Sequence, residues 1–422
     1  MRHFLVLACL FFVVSGLFAQ DTITVMQYNL LEYGNYNSAW ASCDESTNNT
    51  QEKDECIRTI LNHVRPDILT VNEFGASQAI LDNFLRHNLN INGVDYWKSD
   101  NIVNYANSNI INHIFYNSSK MELKRHAVIR TSLRDIDAYE LYFKTTSLAA
   151  HDTVKLVCIV AHLKAGNGST EEATRRAMLN NAMYWVEENC PHDNVLIMGD
   201  FNMYKSSESG YRLLTETYEN PDARFVDPLS LVNGVGYWDN NHQFAQFHTQ
   251  STKSWVDYPD CPSGGGLDSR FDIMMMSDEI YMGFNNLKYV NGSYKAVGND
   301  GLHFNQSIND GYNNAVPEAV ANALYKSSDH LPITMKMRLF AQLDVDETAV
   351  VDFSVYPNPT TGTIHVTTPN SSSSRRDYRI TNVLGQAVMT GKVNNDGINV
   401  SGLMDGLYFI SVDGVTRKFV KN

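Results

Sequence analysis

Between Thr22 and Leu339, apolar runs short enough for strands alternate with longer stretches of helical period. This alternation restricts the fold more than any other feature of the chain. The strand patterns cover Thr22–Leu30, Asp67–Val71, Ile110–Tyr116, Glu122–Ile129, Ala138–Thr145, Val154–Ala161, Val195–Met198, Arg270–Met276 and Ile333–Leu339. Helical periodicity marks Glu52–Val64, where Cys56, Ile57, Ile60, Leu61 and Val64 share a face, and also Gln78–Arg86 and Thr170–Glu188. Strands that follow one another without a helix, mixed with helix-separated strands, describe an α/β protein whose mixed sheet carries helices outside.

The alternation then stops. Ala341–Val351 is acidic and aperiodic, and Phe353–Asn422 carries short alternating strands between Gly, Asn, Ser and Pro, with Ser371–Ser374 as a loop. A chain of 422 residues exceeds one ordinary domain. The expected division is 20–340 as the main domain, 341–352 as linker and 353–422 as a small all-β domain. Residues 1–19 read as a secretory signal: Arg2 and His3 precede the apolar run Phe4–Val14, and Ala19 offers a small residue for cleavage. No later segment is long and apolar enough to span a membrane. The formal charge of −14 argues against a general polyanion trap and leaves nucleic acid open as a substrate. Of six cysteines, Cys9 leaves with the signal. Cys43 and Cys56 flank a polar loop that an oxidising compartment can bridge, Cys158 reads as a packed thiol, and the partners of Cys190 and Cys261 stay open.

Chemistry concentrates where apolar strands end in polar residues. Asn29, Glu73, His162, Asp200 with Asn202, Asp272, and Asp329-His330 each follow or interrupt such a strand. Singly, each has an ordinary explanation: a local Asx turn, a cap, a solvated charge or a satisfied core histidine. Together they need a common cause, because charged groups are seldom buried unless paired or metal-bound. One site at one sheet edge supplies that cause. Carboxylates and amides without a cysteine cluster suit Mg²⁺ or Mn²⁺, with Ca²⁺ as an alternative. The histidines add a base and a phosphate-oxygen donor, so the set fits hydrolysis of a phosphoric ester. If the strand ending at Met198 continues extended, Asp200 and Asn202 share a face.

At these residues the chain resembles the endonuclease/exonuclease/phosphatase superfamily, the fold of deoxyribonuclease I. Gly199-Asp-Phe-Asn202 and Ser328-Asp-His330 carry the resemblance most specifically. Tyr28-Asn29-Leu30, Pro66-Asp67-Ile68 with Glu73, Ala161-His162-Leu163 and Arg270-Phe-Asp272 follow in order. It implies a four-layer α/β sandwich, two packed mixed β-sheets flanked by helices. It also implies roles. Glu73 is the principal metal ligand, with Asn29 and Asp329 close to the metal. Asp200 and Asn202 position water and phosphate. His330, oriented by Asp272, is general base or phosphate contact, and His162 donates to a phosphate oxygen. Deoxyribonuclease-type members pair the His162 equivalent with a glutamate, where this chain has Asn109, Ile110, Ile111 and Asn112. A second acid–base pair is therefore not expected.

The tail resembles the C-terminal sorting domain of type IX secretion through Val355-Tyr-Pro-Asn-Pro359, Asn382-Val-Leu-Gly385, Gly406-Leu-Tyr408 and Lys418. That implies the type IX machinery as a partner and a location outside the cell or on its surface. The expected function is a secreted, monomeric, metal-dependent phosphodiester hydrolase, foremost a nuclease. A phosphatase or sphingomyelinase-like lipid phosphodiesterase is the alternative, and an adhesion protein on a degenerate hydrolase fold is the non-enzyme alternative. The insert 228–267 holds Tyr237, Trp238, Phe244, Phe247 and Trp255, which either stack on substrate or pack the insert's own core.

Overall fold

The computed structural model describes residues 22–36, 43–144, 153–216, 223–231, 234–256, 261–339, 353–367, 377–383, 385–393, 397–412 and 415–422. The expected signal peptide, the linker and the Ser371–Ser374 loop lie outside these residues. The chain divides into two compact units, 1–341 and 342–422.

The first unit begins with β1 (Thr22–Tyr33), α1 (Thr50–Val64), β2 (Ile68–Gly75), α2 (Gln78–Phe84), β3 (Trp97–Ser99) and β4 (Ile110–Asn117). It continues with β5 (Met121–Ile129), β6 (Ile136–Phe143), β7 (Lys155–His162), α3 (Ser169–Asn189), β8 (Val195–Asp200) and α4 (Ser209–Thr215). Then come β9 (Phe225–Val226), β10 (Asp272–Ser277), α5 (Asp278–Met282), β11 (Leu287–Tyr289), β12 (Lys295–Ala296), α6 (Glu318–Ser327) and β13 (Ile333–Leu339). One sheet runs β11-β13-β1-β2-β4-β3 with β12 beside β13, and the other runs β5-β6-β7-β8-β10-β9. Each is mixed: β1–β2 and β7–β8 are parallel and their neighbours antiparallel.

The two-residue period of a strand explains how the sheets pack. On β1, Met26, Tyr28 and Leu30 join Ile57, Ile60 and Leu61 of α1 in an outer core, while Ile23 and Val25 join the core between the sheets. Met178, Leu179, Ala182, Met183 and Val186 of α3 pack with the second sheet. The result is the four-layer sandwich, helices outside and two sheets within. Continuing the inner face of β1 past Val25 brings Gln27 and Asn29, both fully buried. The space between the sheets therefore turns from apolar to polar along the strands. Gln27 Nε2 donates to Asn72 Oδ1 (2.6 Å), Asn72 Nδ2 to Asn112 Oδ1 (2.8 Å), and Asn112 Nδ2 to the Asp135 carbonyl (2.8 Å). Buried amides of this kind persist because each finds a partner.

Three features differ from expectation. Cys43 bonds Cys261 across 218 residues, and Cys56 is a free thiol with Cys158 and Cys190. Proximity in sequence misled here, because α1 carries Cys56 away from the loop end that holds Cys43. The insert's aromatics divide: Trp238, Phe244 and Phe247 are buried, whereas Tyr237 and Trp255 are 54% and 69% exposed. The helix α6 was not apparent in the sequence, although Pro317 stands at its N-cap and Val320, Ala323 and Leu324 form its buried stripe.

The second unit holds β14 (Ser354–Tyr356), β15 (Thr363–Thr367), β16 (Asp377–Asn382), β17 (Ala387–Lys392), β18 (Ile398–Asn399), β19 (Gly406–Val412) and β20 (Val415–Lys421). They form two antiparallel sheets, β14-β15-β18 and β17-β16-β19-β20. Phe353, Ile364, Ile380, Ile410 and Phe419 are part of their shared core.

Candidate active site

Strand register delivers the site. Ala161 pairs with Gly199 and His162 with Asp200 across β7–β8, and Asp200 pairs with Asp272 across β8–β10. His162, Asp200 and Asp272 thus stand side by side at one end of the second sheet. The facing sheet contributes Asn29 from β1, Glu73 from β2 and Asp329-His330 just before β13. A pocket of about 600 Å³ is lined by Glu73, His162, Asp200, Asn202, Asp329 and His330, among others. Asn29 and Asp272 stand behind these residues and hold them. Asn29 Nδ2 donates to Glu73 Oε1 (3.1 Å) and Asp200 Oδ2 (3.0 Å), and its Oδ1 accepts from the Leu31 N–H (3.0 Å). His330 Nδ1 donates to Asp272 Oδ2 at 2.7 Å.

Local backbone shape makes this convergence possible. Gly199 has φ +145°, and a Cβ there would lie 1.8 Å from the Ala161 carbonyl oxygen. Only glycine lets β8 approach β7 so closely just before Asp200. Leu31, Glu32, Glu73 and Asn202 all hold positive φ between 46° and 52°. Such conformations cost an L-residue about 1–3 kcal/mol and gather where function requires them. Asn202 corrects the expectation of a continuing strand, because β8 ends at Asp200 and an Asx turn follows. The Asn202 N–H donates to Asp200 Oδ1 (3.0 Å). Both side chains still line the pocket.

The site is rich in buried negative charge. Burial pushes the Glu73 carboxyl up to about 7, and the Asp329 charge adds to the rise. Burial likewise raises Asp200, while His330 and the Asn29 hydrogen bond oppose it. For His330, burial disfavours the charged ring, but Asp272 and Asp200 outweigh it and lift the imidazole well above its ordinary value. His162 goes the other way: burial first, then the Arg134 and His330 charges, drive it well below its ordinary value. A neutral His162 presents Nε2 at 3.5 Å from Asp200 Oδ2 and 3.7 Å from Glu73 Oε1. Asn112 engages Asn72, Asp135 and Asp137 instead of His162, whose Nδ1 is buried without a hydrogen-bond partner.

Several residues at the site carried no sequence signal. Gln250 Nε2 lies 2.8 Å from His330 Nε2 and donates to Asp329 Oδ2 (3.2 Å). A neutral ring accepts the amide N–H as drawn, whereas a charged ring requires the amide oxygen in that place. The Ser263 N–H also donates to Asp329 Oδ2 (2.9 Å), two residues beyond the disulfide at Cys261. Arg134 lines the pocket and donates to the carbonyls of His162 (3.2 Å) and Leu163 (2.9 Å). Arg175 is buried, grips Glu208 Oε2 through Nε (2.9 Å) and Nη2 (2.7 Å), and pins the Lys164 and Gly166 carbonyls after β7. Nothing in their neighbourhood in sequence marks these residues, since Gln250, Ser263 and Arg134 contact the site across 28 residues or more and Arg175 finds its carboxylate partner 33 residues on.

The donor set fits a hard divalent cation. Ligand atoms of Glu73, His162 and Asp200 lie within 4.8 Å of one another. Asp272 Oδ1 and Asp329 Oδ1 are buried without a hydrogen-bond partner, and clustered carboxylates of this kind call for a cation.

A two-sheet α/β sandwich with a carboxylate–histidine cluster at one end defines a hydrolase fold. The chain belongs to the endonuclease/exonuclease/phosphatase family, whose sequence profile matches residues 26–268, more than half its length. Residues 354–422 match the secretion system C-terminal sorting domain, which directs proteins through type IX secretion to the cell surface or the extracellular space. Among the described residues no helix is long and apolar enough to cross a membrane. A comparison with curated proteins found no match. Solved structures of similar fold include D. rerio TDP2 complexed with single strand DNA product, at 12% identity and TM-score 0.43 over 75% of this chain and 99% of that one. A Bacteroides thetaiotaomicron endonuclease/exonuclease/phosphatase family protein matches at 13% identity and TM-score 0.43, covering 76% and 98% of the two chains. A mannosyl-6-phosphatase from the same species matches at 14% identity and TM-score 0.42, covering 75% and 99% of the two chains.

Proposed function

We propose that this protein is a secreted, divalent-metal-dependent phosphodiester hydrolase, and specifically an extracellular nuclease. The observation that carries the proposal is the Asp272–His330 pair at 2.7 Å, set among the buried carboxylates Asp200 and Asp329 and the partly buried Glu73. Glu73 is the principal metal ligand, with Asp329 supplying a second carboxylate and Asn29 orienting Glu73. Asp200 offers a further carboxylate oxygen to the same ion. Bound there, Mg²⁺ or Mn²⁺ would cancel carboxylate charge and polarise a phosphoryl oxygen.

The chain's own groups do the rest. Asp272 fixes the His330 tautomer with a proton on Nδ1, and a cation that offset the Asp200 and Asp329 charges would release the Nε2 proton they retain, leaving Nε2 free to take a proton from water. Asp200 and Asn202 orient that water and the phosphate. Neutral His162 donates to a phosphate oxygen, and Arg134 adds fixed positive charge at the pocket wall. A diester is favoured over a monoester because aromatic surface adjoins the site: Tyr204 and Phe271 line the pocket. Trp255, 69% exposed, directly precedes the lining residue Val256, and its indole offers a flat group one face to stack on.

Purified protein is to be assayed on plasmid DNA, RNA, sphingomyelin, a chromogenic phosphodiester and a phosphomonoester, each with Mg²⁺, Mn²⁺ or EDTA. The expected result is metal-dependent cleavage of nucleic acid and of the chromogenic diester. Turnover confined to the monoester or to sphingomyelin refutes the nuclease assignment, and turnover of nothing refutes the enzyme. Wild-type activity in His330→Ala refutes the base.

A further inference from the structure

The end of β1 is clamped by a buried ammonium group. Pairing of β1 with β2 is interrupted between Asn29 and Tyr33, where Leu31 and Glu32 turn left-handed at φ +46° and +52°. The carbonyls freed by this interruption need other donors. Lys53 on α1 supplies them: it is 4% exposed, and its Nζ donates to the Leu30 (2.7 Å) and Leu31 (2.6 Å) carbonyls. Asn48 Nδ2 donates to the Leu31 (2.9 Å) and Glu32 (3.1 Å) carbonyls from the same side.

The other face of this turn points at the site. The Glu32 N–H donates to Glu73 Oε2 (3.2 Å), and the Leu31 N–H donates to Asn29 Oδ1 (3.0 Å), which aims the Asn29 amide at Glu73 and Asp200. Two orienting contacts on the cluster thus depend on one strained turn. A buried lysine without a carboxylate in contact is costly, and such groups seldom persist without a use. Burial pulls the Lys53 ammonium down to about 7, and the charges of Asp329, Glu73 and Glu32 oppose that fall.

We propose that Lys53 is a positioning residue for Glu73: its ammonium group locks the Leu31–Glu32 turn whose backbone N–H groups hold Glu73 and Asn29 ready for a divalent cation. The inference rests on the metal reading given above. It assigns Lys53 no contact with substrate and no proton transfer.

The test uses full-length, EDTA-dialysed protein titrated with Mn²⁺ by calorimetry, with urea unfolding in parallel. Lys53→Met keeps the length and removes the charge and donors. Its Mn²⁺ dissociation constant is expected to rise about tenfold, the low end for outer-shell support of a ligand. Lys53→Arg, which restores charge and donors, is expected to recover part of that loss. Asn48→Ala loosens the same turn, is expected to weaken Mn²⁺ binding in the same direction, and replaces Lys53→Met if that variant does not fold. A loss of urea stability with Mn²⁺ affinity within twofold of wild type means a purely structural role and overturns the proposal. Wild-type protein that binds no Mn²⁺ overturns the metal reading, and the Lys53 role with it.

Discussion

Replacing Gly199 by alanine adds one carbon where the structure has no room. The new Cβ would sit 1.8 Å from the Ala161 oxygen and 2.8 Å from its carbonyl carbon. An ordinary contact needs about 3.5 Å, so β7 and β8 must part by more than about 1 Å at their end. Overpacking costs about 1–3 kcal/mol. The residue must also leave φ +145° or bear its strain, about 1–3 kcal/mol more. The sum, roughly 2–6 kcal/mol, is a large part of a typical domain stability of about 5–15 kcal/mol. At about 2–4 °C per kcal/mol for a large domain, the melting temperature should fall by roughly 5–20 °C. Activity should fall further than stability, because the strands part where His162 and Asp200 stand in register. Calorimetric melting and turnover of a chromogenic phosphodiester at a temperature where the variant is folded measure the two effects. The clash is with a backbone oxygen, so adding Ala161→Gly should rescue neither. A melting temperature within a degree of wild type, or rescue by Ala161→Gly, would refute the close-approach argument.

Other outcomes follow from the same geometry. Asp272→Asn leaves His330 without its carboxylate partner, and kcat is expected to fall by roughly 10³–10⁴, with stopped assays at saturating substrate as the check. Glu73 has its folded pKa raised to about 7, so its contribution to stability is full below about pH 4.3 and is lost as pH rises toward 7. In metal-free protein Glu73→Gln should therefore stabilise relative to wild type at pH 8, by on the order of 3 kcal/mol, and by much less at pH 5; urea unfolding at both values decides it. Saturating Mn²⁺ should reverse the difference at pH 8, because only wild type gains full binding energy. Cys43→Ser opens a closure of 218 residues and should cost up to about 5 kcal/mol on the loop-entropy account. It should also depress turnover through the freed Ser263–Asp329 contact, and thiol titration of the denatured variant should show one more free cysteine than wild type.

The type and order of the main elements were open to sequence reasoning because burial imposes a period. Apolar alternation marked β1, β2, β4 and β7, and a helical stripe marked α1 and α3. The short elements β3, β9, β11 and β12 span two or three residues each, too few for a period to show. The eight candidate site residues were legible for the same reason: each polar group broke an apolar run that would otherwise have no cause to stop there. Gln250, Ser263, Arg134 and Lys53 were not legible, since each sits in a polar or helical stretch where its residue type is unremarkable.

By itself, then, the sequence determined which strands carry polar ends, that α1 and α3 are helices, and that the alternating α/β texture stops after Leu339. These follow from local pattern, and local pattern is a property of neighbours along the chain. Only the tertiary structure decided that His162, Asp200 and Asp272 share one register line, that Gly199 must lack a side chain because Ala161 lies against it, and that Cys43 meets Cys261 and not Cys56. Each of those depends on strand pairing or loop closure between distant segments, and the free energy that selects the pairing comes from the packed core as a whole.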